Sequence, residues 1–283
     1  SWSHSQDSKA RPGTSFRASV NFASPSNNKY NSDNIQQALQ NQMSSSISYS
    51  KTWTGMSMSV NASHSQNSRD SSYAITFPNI TFTVNRFFPF KRKNGVGSEK
   101  FYEKISLSYN SSMQNKINFK VKELKDMNIM DRLQNGMTHN FAIGLPSFTI
   151  LNYIQAAPSI SYGMNWYFRE QTKRYDPETD QVITEMTPQF SRFGISQTYS
   201  AGISFSTRIY GLFNFGKDKK VQAIRHMISP QLGINLKPEL GTAMNGYRTY
   251  TYIDKNGKEK SVEYNKYAGN LTSPPGRGRN AGL

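Results

Sequence analysis

Apolar and polar residues alternate along most of the chain with a period of two, which places them on opposite faces of extended strands. In one run, Met56, Met58 and Val60 are separated by Ser57 and Ser59. The same alternation recurs in the ranges 16–22, 43–50, 80–85, 105–110, 117–122, 154–168, 193–205 and 224–236. Together with the turn signals between them, these runs predict an all-β chain of about 12–14 antiparallel strands.

Turn residues separate the alternating runs and indicate hairpins. Gly55 stands between two of the runs, and Asn256-Gly257 supplies the positive φ angles that a two-residue type I′ turn requires. The ranges 93–97 and 176–180 contain Asn, Gly, Asp and Pro and predict two further turns. No interior linker divides the chain, so the sequence predicts one continuous sheet-forming unit.

Two segments have the spacing of a helix instead. Leu124, Met127, Met130 and Leu133 recur every three residues, and Gly136 follows them in the position of a C-cap. A second, weaker helical turn is predicted at 35–39. We expect both to be short helices within long loops.

The length of the strands narrows the choice of fold. Many runs reach ten residues or more, which exceeds the usual globular strand of about 5–6 residues and matches the roughly 9–11 tilted residues that cross a bilayer. Aromatic residues bunch at 86–90, 166–168 and 210–215, as in the interfacial girdles of membrane barrels. The same pattern also fits a soluble sandwich whose core ends in aromatic residues, so both architectures remain open on periodicity alone.

The composition excludes several other classes. The longest uninterrupted apolar runs have three residues, whereas a membrane-spanning helix needs about 20. Aromatic residues make up 13% of the chain, which argues against intrinsic disorder. The chain has no Cys, and this removes disulfides, Cys-type zinc sites and thiol nucleophiles.

The charge is strongly basic, with 34 Lys and Arg against 18 Asp and Glu and a net charge of +16. Basic residues cluster in the ranges 91–93, 116–125, 217–220 and 277–279. Such a charge suits a nucleic-acid binder, but no nucleic-acid-binding motif is present. In a membrane barrel the same charge would attract anionic lipid phosphates, while many of these side chains would simply solvate loops.

No motif for catalysis or metal binding emerges. His4, His64, His139 and His226 lie far apart without the converging ligands that a metal needs. The range 95–100 lacks the spacing of a phosphate-binding loop, and we expect a charged hairpin turn there. The sequence therefore predicts no enzyme, and no catalytic, cofactor or metal residues.

The segments 82–93 and 99–109 resemble the barrel region of LptD, the lipopolysaccharide-assembly protein family of the outer membrane, in a divergent branch of that family. The stretches 135–139, 224–232 and 273–275 are similar to the same family. Their order spans most of the chain. The resemblance implies a transmembrane antiparallel β-barrel that receives lipopolysaccharide and inserts it into the outer leaflet.

Further expectations follow from the resemblance. Residues 1–283 would form an interior section of a larger barrel, with the periplasmic jelly-roll domain and the end of the barrel lying outside this stretch. Lipopolysaccharide, outer-membrane lipid, a plug lipoprotein and a periplasmic bridge protein would be partners, and nucleic acid would not. The residues that contact lipopolysaccharide are not specified, and without Cys no disulfide maturation carries over. Alternatives are a porin or nutrient channel and a secreted or surface adhesive β protein.

Overall fold

The fold was determined as a computed structural model, which describes residues 1–7, 9–21, 42–67, 70–123, 125, 128, 132–215 and 221–282. The strands in chain order are β1 (Trp2–Ser5), β2 (Thr14–Val20), β3 (Gln42–Trp53), β4 (Met56–Asn67), β5 (Ser72–Phe87), β6 (Ser106–Lys120), β7 (Gln134–Gly144), β8 (Phe148–Ile150), β9 (Ile154–Tyr167), β10 (Gln171–Asp176), β11 (Gln181–Met186), β12 (Gly194–Ser206), β13 (Ile209–Asn214), β14 (Ala223–Ile228), β15 (Gln231–Lys237), β16 (Tyr247–Ile253), β17 (Glu259–Asn265) and β18 (Asn280–Gly282). Short 3-10 helices occupy Phe101–Lys104, Val121–Glu123 and Ala243–Asn245.

Twelve of these strands form one antiparallel sheet. Its order is β1-β2-β3-β4-β5-β6-β7-β9-β12-β15-β18, and the short β8 pairs with the start of β9. The remaining strands form the two-stranded pairs β10–β11, β13–β14 and β16–β17. The prediction of an all-β, antiparallel fold is confirmed. Among the described strands the sheet does not close on itself, as expected for a section of a barrel.

The register aligns most apolar residues of neighbouring strands on the same face. One row of paired residues crosses seven neighbouring strands as Tyr49, Val60, Ile80, Met113, Met137, Trp166 and Ile195. The next row reads Ser50, Ser59, Thr81, Ser112, Thr138, Asn165 and Ser196. The shared register thus creates an apolar face and a polar face. A slip of one residue between two strands would move apolar side chains onto the polar face.

The apolar face is exposed rather than covered. Ile47, Tyr199 and Leu236 have 42%, 43% and 55% of their surface accessible, although each points from the apolar side of its strand. The buried hydrophobic residues within the described part of the chain are Ala18, Met43, Ala156, Tyr167, Leu240 and Tyr267. A soluble sandwich would bury the apolar face beneath a second sheet, so the exposed layer favours contact with lipid.

Some elements differ from the sequence prediction. The runs 105–110 and 117–122 fall mostly within the single strand β6, because Ser111 and Asn115 interrupt the apolar row without interrupting the strand. The second run ends in the 3-10 helix Val121–Glu123. The run 224–236 is divided between β14 and β15, since Pro230 lies between them.

The prediction that a helix ends with a C-cap at Gly136 was wrong. Gly136 lies inside β7 and pairs with Gln114, so it does not cap a helix. The predicted turn at 35–39, and most of the predicted helix at 124–133, lie outside the described residues. No helix in the described part is long and apolar enough to cross a membrane.

Candidate functional site

The polar face contains a shallow trough over its central strands. A cavity of about 450 Å³ is lined by the small polar side chains of Thr83, Ser108, Asn110, Asn140, Ser161 and Thr198. A second cavity of about 500 Å³ continues it towards β15. Asn110 Nδ2 donates to Thr83 Oγ1 over 2.9 Å, and the Ser161 and Ser200 hydroxyls lie 2.6 Å apart. Hydroxyl and amide groups in this density can exchange hydrogen bonds with water or with sugar hydroxyls.

Charge is scarce along this trough. Arg86, at the end of β5, is the charged residue among those that line the 450 Å³ cavity. Its guanidinium lies beside Gly144 on the polar face. The trough thus offers neutral hydrogen-bonding groups along its length and a cation at one end.

Two long loops cover the opposite end of the polar face. We call them together the cap: residues 168–193, which contain β10 and β11, and residues 238–279, which contain β16 and β17. The Gln171 backbone N–H donates to the Lys266 carbonyl, and Gln171 Nε2 donates to the Asn265 carbonyl, each over 2.7 Å. Lys266 Nζ also lies 2.6 Å from Glu170 Oε1. These contacts join the two loops into one unit.

Tyr267 attaches the cap to the wall. Its ring stacks on Tyr167 of β9 with the centroids 4.3 Å apart and an interplanar angle of 8°. Both residues are almost fully buried, and the Tyr167 hydroxyl lies 3.0 Å from Ser196 Oγ. The Tyr267 ring occupies the space in which a side chain at Gly194 would lie, so only glycine at that position of β12 admits the ring.

Asn245 makes a second attachment by covering an open strand edge. β15 pairs with β12 over Ala201–Ser206, and in the described part of the chain no strand pairs with the first half of β12 on that side. Asn245 Oδ1 accepts a hydrogen bond from the Gln197 backbone N–H over 2.7 Å. Asn265 Nδ2 in turn donates to the Asn245 carbonyl over 2.9 Å. The cap therefore satisfies backbone groups that an uncovered edge would expose.

A third attachment brings together two stretches that were singled out in the sequence. Gly136, from the stretch 135–139, packs against the Thr272 side chain next to the stretch 273–275. Asn165 Nδ2 also donates to the Ser273 carbonyl over 3.4 Å. The third stretch, 224–232, lies at the other end of the sheet in β14 and β15. Sequence reasoning missed Asn245 and Tyr267, although glycine within the alternating strands β7 and β12 indicated close approach of another segment.

The histidines do not form a common site. His139 is buried among aromatic residues of the apolar face, with its Nδ1 2.7 Å from the Tyr109 hydroxyl and its ring 4.4 Å from that of Trp166. His4 stacks beside Trp2 on the edge strand. In the parts of the chain that the structure describes, no three His, Asp or Glu side chains are arranged to hold a metal ion.

The loop 88–105, at the centre of the family resemblance, is built around a buried carboxylate. Glu103 has an accessible side-chain fraction of 2% and forms a bidentate ion pair with Arg92, whose Nη2 lies 3.0 Å from Oε2. The Lys100 backbone N–H donates to the same oxygen over 2.6 Å. The predicted turn at 93–97 is thus part of an ordered loop that links β5 to β6.

These bonds lower the pKa of the Glu103 carboxyl to about 2, first through Arg92 and then through the Lys100 amide. An ionised carboxylate of this kind stabilises the loop fully above its ordinary pKa near 4.5, and the stabilisation is lost as the pH falls through about 2. A spin label on Val96→Cys should therefore show constant loop mobility from neutral pH to about 5 and rising mobility below 4.5.

The control variants separate the buried pair from the exposed one. Glu103→Gln should give a mobile loop already at neutral pH. Glu99→Gln breaks only the exposed pair with Lys91, in which both side chains are about half accessible, and should leave the mobility unchanged. Equal pH profiles in Glu103→Gln and the parent chain would contradict the role of Glu103.

Comparison with known proteins gives a family but no individual relative. A family model described as LptD protein matches residues 1–283, which is the whole chain. No curated protein and no solved structure matches the chain.

Proposed function

The chain belongs to the LptD family, and we propose from this premise that it forms a wall section of an outer-membrane β-barrel that delivers lipopolysaccharide to the cell surface. The family is one of transport and assembly proteins associated with lipopolysaccharide, and not an enzyme family. In this proposal residues 1–283 are one barrel section. The apolar face meets lipid and the polar face lines the interior.

The two-faced register is the observation that carries the proposal. Seven neighbouring strands keep hydroxyl and amide side chains on one face and hydrophobic side chains on the other. The neutral trough suits the hydroxyl-rich sugars of lipopolysaccharide, because sugars exchange hydrogen bonds with Ser, Thr and Asn without requiring a fixed charge. The net charge of +16 suits the phosphates of the same molecule.

The lengths of the connections give an orientation. The connections at the capped end are residues 21–41, 68–71, 121–133, 168–193 and 238–279. The connections at the other end are residues 6–13, 54–55, 88–105, 145–153 and 207–230, and they are shorter on average. Bacterial outer-membrane barrels have longer loops outside the cell than in the periplasm. We therefore infer that the capped end faces outwards. A sugar chain passing along the trough would then have to displace the cap.

Two protein partners complete the proposal. A periplasmic bridge protein would deliver lipopolysaccharide to the end opposite the cap, and a plug lipoprotein would occupy the barrel interior. Both follow from membership of the family, and neither is assigned to particular residues.

Depletion of the protein in the cells that encode it tests this function. We expect the protein to fractionate with the outer membrane and to migrate differently on a gel with and without boiling. After depletion, lipopolysaccharide should accumulate beneath the surface, measured by antibody access in intact and in permeabilised cells. Recovery in the soluble fraction would contradict the proposal. Loss of solute uptake with normal surface lipopolysaccharide would instead indicate a channel.

A further inference from the structure

The end of the sheet opposite the cap combines exposed aromatic residues with cations. Four cation–π pairs lie at or beyond this end: Lys51 over Trp53, Lys91 over Phe88, Lys100 over Tyr102 and Arg225 over Tyr210, with the charge 4.9–5.9 Å from the ring centroid. We call this end the basic rim. Its Lys and Arg residues are Lys9, Arg11, Lys51, Arg86, Lys91, Arg92, Lys93, Lys100, Lys104, Arg208 and Arg225 among the described residues, against Asp7, Glu99 and Glu103. Cations therefore outnumber carboxylates by 11 to 3 at this end.

The loop 88–105 is the most prominent part of the basic rim. Phe90 and Phe101 have 56% and 68% of their surface accessible. Within the described part of the chain, no carboxylate lies within ion-pair distance of Lys93, Lys100 or Lys104. Both the rings and these cations are thus available to an external ligand.

The loop is also held in place before any ligand binds. The Glu103–Arg92 pair joins its two halves and neutralises the charge of Arg92, whereas the charges of Lys93, Lys100 and Lys104 are not neutralised by an ion pair in the described part of the chain. A pre-formed surface binds at a lower entropic cost than a loop that must order on binding.

We propose that the loop 88–105 is a membrane anchor that inserts Phe90 and Phe101 at the lipid interface and binds anionic phospholipid headgroups through Lys93, Lys100 and Lys104. Aromatic rings favour the interfacial region of a bilayer, and each nearby lysine adds attraction to an anionic surface. The loop continues from β5 and β6, whose apolar face would meet the hydrocarbon. Phospholipid is the favoured ligand because the shorter connections of this end place it at the periplasmic leaflet.

This inference rests on the proposed membrane location, and one experiment distinguishes the two. The chain has no Cys, so Val96→Cys, at a position with 93% of its surface accessible, can carry a single polarity-sensitive fluorophore. The labelled chain is reconstituted into phosphatidylcholine vesicles with and without phosphatidylglycerol. We expect a blue shift and brighter emission with phosphatidylglycerol, and loss of the shift at about 1 M salt, where charges are screened beyond about 3 Å.

Matched variants identify the ligands of the headgroup. Lys93→Gln, Lys100→Gln and Lys104→Gln combined should abolish the shift. The control, Lys122→Gln, Lys255→Gln and Lys258→Gln at the capped end, removes the same charge and should retain it.

The remaining outcomes distinguish the proposed membrane location from the proposed anchor. A chain that fails to float with vesicles contradicts the membrane location and with it the anchor. A chain that floats but emits equally in both lipids overturns the anchor alone. A shift with lipid A vesicles but not with phosphatidylglycerol would overturn the assignment to phospholipid.

Discussion

Oxidation of a chain carrying Gly136→Cys and Thr272→Cys is expected to stop delivery of lipopolysaccharide to the cell surface until a reductant is added. A Cβ atom built at Gly136 lies 3.3 Å from Thr272 Cβ, close to the separation of about 3.5–4.5 Å found in disulfides. The bond would fasten the cap to β7. If sugar chains pass by displacing the cap, a fastened cap blocks them. Surface lipopolysaccharide should then fall to the level of depleted cells.

The absence of Cys elsewhere in this chain makes the control simple. Each single variant under the same oxidant, and the double variant under reductant, should deliver lipopolysaccharide like the parent. The bond itself is verified by a shift in gel mobility that reductant reverses. Normal delivery with the bond fully formed would contradict displacement of the cap during transport. It would indicate that the cap stays fixed to the wall.

The two faces of the sheet could be predicted because strand geometry imposes a period of two whatever the neighbouring strand contains. The prediction depended on local sequence only. It failed within β6, where Ser111 and Asn115 occupy apolar positions, because the pairing of β6 with β5 and β7 holds these residues in the strand. Long-range pairing overrode the local pattern.

The cap could not be predicted in the same way, because its contacts join residues far apart in sequence. The hydrogen bond from Gln171 to Asn265 spans 94 residues, and no periodic pattern marks either residue. The sequence did contain Gly136 and Gly194 inside strands in which apolar and polar residues otherwise alternate. The net charge of the chain could be counted from the sequence, whereas the excess of cations over carboxylates at the basic rim became visible only with the strand order.

Substitution of Gly194 by valine is expected to detach the cap from the wall. The Tyr267 ring fills the space that a Cβ atom at Gly194 would enter, and the ring is held between Tyr167 and the backbone at Gly246. A rigid, stacked ring cannot yield as the end of a flexible side chain can. Overpacking of this kind costs about 1–3 kcal/mol, and expulsion of the ring would also expose Tyr167.

Protease sensitivity and permeability measure this release. In the Gly194→Val chain, residues 238–279 should be cleaved at lower protease concentration, and cells should take up large solutes that the parent excludes. The matched control is Gly233→Val on the neighbouring strand β15, where an added Cβ atom meets nothing within 4 Å. Tyr267→Ala should reproduce the Gly194→Val phenotype by removing the ring, at a cost of about 3–5 kcal/mol for a buried aromatic residue. Equal cleavage of the Gly194 and Gly233 variants would contradict the attachment by Tyr267, because only one of them displaces the ring.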